Sequence, residues 1–133
     1  MVGIIVVAHG ELADMLISTA ESITGRLEAV RGIAVNKGDT AEDIRKSISD
    51  AIKAVDSGMG VLILTDMFGG TPSNISLSFL EDGKVEVLTG VNLPMLLKLY
   101  SYLKGRTLSE LAELLQTSGK ESIVISSRML KKE

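Results

Sequence analysis

The chain has 133 residues, a formal net charge of −3, 45% apolar and 3% aromatic residues, and no cysteine. That length is read as a single domain over residues 1–133 with a sizeable core, and the missing cysteines exclude a disulfide framework, a thiolate nucleophile and a Cys-ligated metal site. An acidic chain poor in aromatics lacks the clustered Lys and Arg and the stacking rings that nucleic acid requires, so a basic protein suits it better as a partner.

Val2 to Ala8 is a β-branched apolar run without alternation, the pattern of a strand buried on both faces. It carries no charged leader and is far too short for a signal peptide core or a membrane span, so a cytoplasmic protein is expected. The run delivers the only histidine of the chain, His9, onto Gly10. Glu11 to Thr24 follows as a helix with Leu12, Met15, Leu16, Ala20 and Ile23 at helical spacing and Gly25 as its stop. Val30 to Val35 is a weaker strand interrupted by Gly32. Thr40 then reads as an N-cap, with Asp43 placed as in a capping box and Ile44, Ile48, Ala51, Ile52 and Val55 as the apolar stripe of a second helix ended by Gly58.

Gly60 to Asp66 is another fully apolar strand, this one finishing on a carboxylate. After Gly69-Gly70, Thr71 is placed as N-cap and Pro72 as first helical residue, with Ile75, Leu77, Phe79 and Leu80 continuing. Asp82-Gly83 turns into a strand over Lys84 to Thr89, and Gly90-Val91-Asn92-Leu93-Pro94 opens a helix through Leu103. Thr107 with Glu110 caps a further helix carrying Leu108, Leu111, Leu114 and Leu115, Ser122 to Ser126 makes a short strand, and the charged tail Lys131 to Glu133 frays. Strands alternating with helices call for an open, doubly wound, mainly parallel α/β sheet with helices on both faces, flavodoxin-like in outline.

In such sheets ligands gather beyond the carboxyl ends of the strands, which brings His9-Gly10, Asp66 to Ser73 and Thr89 to Asn92 to one edge. A lone histidine is more often a structural residue bonded to a backbone carbonyl, and an aspartate after a strand is commonly a turn former. Together they allow a second chemistry: the carboxylate fixes the imidazole tautomer and frees the other ring nitrogen as a nucleophile. Gly69-Gly70-Thr71 at a helix start can present successive N–H groups to an anion, although most such turns are only tight connections. The P-loop and dinucleotide fingerprints are absent, and one histidine gives a poor metal shell, so no cofactor and no metal are expected.

Three blocks in order, Gly3-Ile4-Ile5-Val6-Val7-Ala8-His9-Gly10, Thr65-Asp66-Met67-Phe68-Gly69-Gly70-Thr71-Pro72-Ser73-Asn74 and Thr89-Gly90-Val91-Asn92-Leu93-Pro94-Met95-Leu96, resemble the mannose/fructose-type IIA component of the bacterial phosphoenolpyruvate:sugar phosphotransferase system. The resemblance covers nearly the whole chain. It implies a phosphocarrier that takes a phosphoryl group from phospho-HPr on His9 Nε2 and hands it to a histidine of a IIB component, with Asp66 bonding Nδ1. It further implies that backbone N–H groups around Gly69, Gly70 and Thr71 hold the phosphoryl oxygens, that a C-terminal antiparallel edge strand over Glu121 to Ser126 is exchanged within a homodimer, and that a membrane IIC/IID permease is an indirect partner. Where family members often carry Trp and Ser in the second block, this chain has Phe68 and Thr71, which leaves the partner's identity open. Related roles for such a chain are a regulatory phosphoprotein or the phosphoryl-donor subunit of a dihydroxyacetone kinase system. Glu11 and Asp14, beside His9, are candidates for meeting basic residues of a carrier and equally good residues for a helix's first turn.

Overall fold

The two central strands form as their apolar runs require and are buried on both faces, whereas the outer two carry exposed positions such as Arg31 and Glu86. In the computed structural model, which describes residues 1–67 and 71–131, β1 is Gly3–His9, β2 Val30–Val35, β3 Val61–Thr65 and β4 Val85–Thr89. They make one parallel sheet in the order β2-β1-β3-β4. Along β1 the side chains alternate between two cores. Ile4, Val6 and Ala8 pack under the helices α1 (Leu12–Thr24), α4 (Leu93–Tyr102) and α5 (Leu108–Glu121), whereas Ile5 and Val7 pack under α2 (Ala41–Val55), with Ile75 of α3 (Thr71–Leu77) in the same cluster. Both faces of β1 and β3 are therefore dry, and Gly3 has no side chain because one would press on the Val55 carbonyl, 2.6 Å away.

The chain order crosses over at β1, from which β2 lies on one side and β3 on the other. That reversal opens a crevice between the carboxyl ends of β1 and β3, where His9 ends one strand and Asp66 follows the other.

Most elements match the residues expected of them. Thr40 accepts a hydrogen bond from the Asp43 N–H at 3.0 Å, Asn92 caps α4, and Thr107 with Glu110 makes a full capping box. Four expectations are corrected. Thr71 is the first helical residue of α3 rather than its N-cap, and α3 stops at Leu77, where Ser78, Phe79 and Leu80 each bond three residues back and tighten the last turn. The first helix buries only part of the stripe assigned to it: Ala20 is buried and Leu16 packs against the core, but Ala13 and Ile17 complete the inward face while Leu12, Met15 and Ile23 are exposed. Ala13 and Ala20 face the sheet because the helix lies close against it, as Asp14 resting over Gly32 of β2 also shows.

The expected edge strand over Glu121 to Ser126 is not formed either. Helix α5 runs to Glu121, Ser122 to Ile125 lies outside any strand, and Ser126–Leu130 makes a short helix, α6. A strand needs a partner edge for its N–H and C=O groups, and within this chain the segment finds none, leaving Ile123 80% exposed. Of the charged tail, Lys132 and Glu133 lie outside the described residues. Among those residues no helix is long and apolar enough to cross a membrane.

The corrected α1 face yields a measurable contrast. Leu99→Ala, in the core under α4, is expected to cost about 2–5 kcal/mol, whereas Met15→Ala, 55% exposed, is expected to stay within about 0.5 kcal/mol of wild type in urea unfolding. Equal losses at the two positions would restore the stripe read from periodicity.

Candidate active site

His9 leaves the end of β1 on a turn that only a residue tolerant of positive φ completes. Gly10 takes φ +59°, and its N–H bonds the Val35 carbonyl at 2.9 Å, tying the turn to the end of β2. Across the crevice Val7 pairs with Thr65 in the ladder, so the residue after Thr65 stands level with the end of β1. There Asp66 turns its carboxylate to His9. Oδ2 accepts two bonds from that one residue, from the backbone N–H at 2.9 Å and from ring Nδ1 at 2.8 Å. A carboxylate only accepts, so the hydrogen sits on Nδ1 and, in the neutral ring, the free lone pair sits on Nε2. The side chain of Asp66 is 11% exposed and that of His9 51% exposed, which places the carboxylate inside and the imidazole at the surface.

Burial acts to raise the Asp66 carboxyl, and it is outweighed by the His9 backbone N–H, the His9 ring and the Met67 backbone N–H, which together hold the group below its ordinary 3.8. The pair is thus an ionised carboxylate bonded to an imidazole N–H, ready to stabilise positive charge that develops on the ring.

The third loop of the expected cluster, after β4, supports the pair without touching the ring. Gly90 and Val91 both donate their N–H to the Thr65 carbonyl at 2.9 Å, and Asn92 caps α4 through Met95 N–H at 3.2 Å. Of the expected anion cradle, Thr71 opens α3 and is exposed, while Gly69 and Gly70 lie outside the described residues, as does Phe68. Glu11 sits at the start of α1 without a side-chain capping bond, and the exposed carboxylate of Asp14 rests over Gly32.

Periodicity concealed one further group of residues. Leu12 and Met15, on the first turns of α1 after His9-Gly10, and Met67, next to Asp66, are 43%, 55% and 52% exposed. They give the surroundings of the imidazole an apolar character that a protein partner can cover. The signal available in the sequence was that Ala13 and Ile17, with Leu16 and Ala20 of the expected stripe, offer an alternative inward face.

A model of the family described as "PTS system fructose IIA component" matches residues 3–116. The chain is similar to the fructose-specific EIIA component of a phosphotransferase system from Bacillus subtilis, with 30% identity over 133 residues, 99% of this chain and 91% of that one. It is 32% identical over 124 residues to the mannose-specific EIIAB component of Escherichia coli, covering 92% of this chain but only 38% of that longer protein. Among solved structures, a phosphotransferase system EIIA component from Streptococcus agalactiae superposes with a TM-score of 0.86 at 34% identity, over 96% of this chain and 99% of that chain.

The depressed carboxyl sets the sign of a pH effect. A carboxylate held below 3.8 in the folded chain contributes stability above that value and loses it as the pH falls through the lower folded-state value. The stability difference between wild type and Asp66→Asn, from urea unfolding at a series of pH values, is expected to be flat near neutrality and to narrow below about pH 4. A difference that holds constant throughout the acid range would remove the ionised carboxylate from the energetics of the site.

Proposed function

The chain belongs to the fructose- and mannose-type IIA components of the sugar phosphotransferase system, and on that premise we propose that it is a cytoplasmic phosphocarrier whose His9 takes a phosphoryl group from phospho-HPr and passes it to a histidine of a IIB component. The observation that carries this is the 2.8 Å bond from His9 Nδ1 to Asp66 Oδ2, which leaves Nε2 as the nucleophilic atom on a half-exposed ring.

In the transfer, the Nε2 lone pair attacks phosphorus in line as the P–N bond to the donor imidazole breaks and the donor ring leaves with that electron pair. The phosphoryl group moves from nitrogen to nitrogen, so neither water nor a metal takes part in the electron balance. Positive charge that develops on the His9 ring is met by Asp66, already ionised and already bonded to Nδ1–H. Phosphoryl oxygens are assigned to the backbone N–H groups at Gly69, Gly70 and Thr71, an assignment that rests on the family resemblance and on the position of Thr71 at the start of α3. Passing the group to IIB is the same step with the roles of the two histidines exchanged. Leu12 and Met15, which follow His9-Gly10 in the chain, and Met67, which follows Asp66, are exposed and suit partners that arrive one after the other, since apolar contact needs no specific hydrogen-bond register.

Assembly follows from what the single chain leaves open. Among the described residues the outer edge of β4 is paired only at Val85, with Glu81, and Ile123, Val124, Ile125, Met129 and Leu130 are exposed, so the chain is assigned as a homodimer in which this segment of one copy covers the other. The permease of a IIC/IID type is assigned as an indirect partner, reached through IIB.

Incubation with phosphoenolpyruvate, enzyme I and HPr is expected to give one acid-labile phosphoryl group per chain, none in His9→Ala, and uptake slowed roughly a hundredfold in Asp66→Asn. An unmodified wild type beside a competent donor, or equal labelling of His9→Ala, would overturn the assignment. In sedimentation experiments Ile125→Asp is expected to shift the chain from dimer to monomer, and a wild type that sediments as a monomer at micromolar concentration would remove the dimer.

A further inference from the structure

The ladder between β3 and β4 ends at the pair Thr65 and Thr89, so Asp66 stands one residue beyond the last registered partner. A carboxylate at an open strand end would ordinarily wander with its turn. Here the turn is held from the far side, because the carbonyl of Thr65 receives both the Gly90 and the Val91 N–H at 2.9 Å. Two successive N–H groups converge on one oxygen through a turn in which Gly90 takes φ +94°, a left-handed value that an L side chain rarely adopts.

The next residue fixes that loop in place with both ends of its side chain. Asn92 Oδ1 accepts the Met95 N–H at 3.2 Å, which starts α4, and Asn92 Nδ2 donates to the Gly119 carbonyl at 3.2 Å, which grips the last turn of α5. The grip has its own built space: a Cβ on Gly119 would collide with Met95 and lie 3.5 Å from Asn92 Nδ2, so the glycine is what lets α5 come this close. A serine, threonine or aspartate would cap α4 equally well. None of them offers an N–H donor to the α5 carbonyl while keeping an acceptor for Met95.

We propose that Asn92 is a positioning residue for the His9–Asp66 pair, holding the Gly90–Val91 backbone against the Thr65 carbonyl and so fixing the strand end that presents Asp66. Force on α5 reaches the imidazole through four bonded steps: Gly119 to Asn92, the loop to Thr65, Thr65 to Asp66 along the chain, and Asp66 to the His9 backbone and ring. Misplacement of a charge-stabilising group by a fraction of an ångström slows chemistry more than it weakens binding.

Two variants of the full chain test this, with thermal melting as the folding check. Asn92→Asp keeps the shape and the capping oxygen and loses the donor to Gly119. Gly90→Ala adds a Cβ that meets nothing within 4 Å, so it acts on the backbone turn alone. For both, the 15N shifts of the His9 ring nitrogens are expected to move toward those of Asp66→Asn. The saturating rate of phosphoryl uptake is expected to fall about tenfold while the KM for phospho-HPr stays unchanged. Wild-type ring shifts and a wild-type saturating rate in folded Asn92→Asp would reduce Asn92 to a helix cap and overturn the proposal, whatever Gly90→Ala does. Should Asn92→Asp fail to fold, Gly90→Ala decides in the same way. The kinetic arm rests on the phosphocarrier assignment and the ring shifts do not: if wild type takes no phosphoryl group from a competent donor, that assignment fails while the ring shifts still settle the positioning role.

Discussion

One oxygen atom carries the organisation of this protein. Oδ2 of Asp66 receives both the backbone N–H and the ring N–H of His9, so the residue proposed to carry the phosphoryl group is held at its main chain and its side chain by the same acceptor. A single bond to the ring would fix a tautomer and leave the ring free to swing about χ1. The second bond ties the end of β1 to the residue after β3 and removes that freedom, so the orientation of Nε2 follows from the spacing of two strands. Charge-assisted bonds of this kind are the stronger class, and the fall of the Asp66 carboxyl below its ordinary value, against the opposing effect of burial, records that strength.

The constraint explains why the sheet is built as it is. β1 and β3 must be neighbours, both buried on both faces, and both must end at the same height; the ladder that pairs Val7 with Thr65 meets all three conditions. Placing β2 and β4 outside them leaves the reactive pair at the crossover point, with turns from all four strands at one edge. Each outer strand then contributes backbone support rather than reactive groups. Val35 holds Gly10, and the turn after β4 holds Thr65.

Much of this was legible in the residues, and the gaps have physical causes. Buried parallel strands announce themselves as unbroken β-branched runs, and helix starts announce themselves through caps, which is why β1, β2, α2 and α5 begin where Gly3, Val30, Thr40 and Thr107 direct them. The pairing of His9 with Asp66 was reachable because strand ends converge in an open α/β sheet. The inward face of α1 was reachable only in part: Leu16 and Ala20 were read correctly, but Leu12, Met15 and Ile23 outweigh Ala13 in any count of hydrophobicity, and the closeness of the helix to Gly32 of β2 selects Ala13 and Ile17 instead. The segment from Ser122 to Ile125 failed for another reason. Its β-branched residues favour a strand, but a strand is a property of two edges, and in the single chain this segment pairs with none.

The site is also where the chain departs from its own rules of burial. Among the described residues Thr65 Oγ1 and Ser73 Oγ are buried without a hydrogen-bond partner, and Met15 and Met67 are exposed, all within a few residues of the His9–Asp66 pair or on α3. Elsewhere the core is apolar, and the helix starts at Thr40, Asn92 and Thr107 are satisfied by side-chain caps. Exposed apolar side chains add nothing to the folding of the single chain, and they stand both here and along the C-terminal segment at Ile123, Val124, Ile125, Met129 and Leu130, the two surfaces assigned to partners. For a histidine proposed to meet the ring nitrogen of another protein, the requirement is specific. The nucleophile must lie at the surface, its orientation must come from groups beneath it, and its rim must be dry enough to expel water when a partner arrives. A deep pocket would protect the phosphoryl group and refuse the partner. An open rim over a rigid strand end serves both, and here the rigidity comes from bonds to a single carboxylate oxygen.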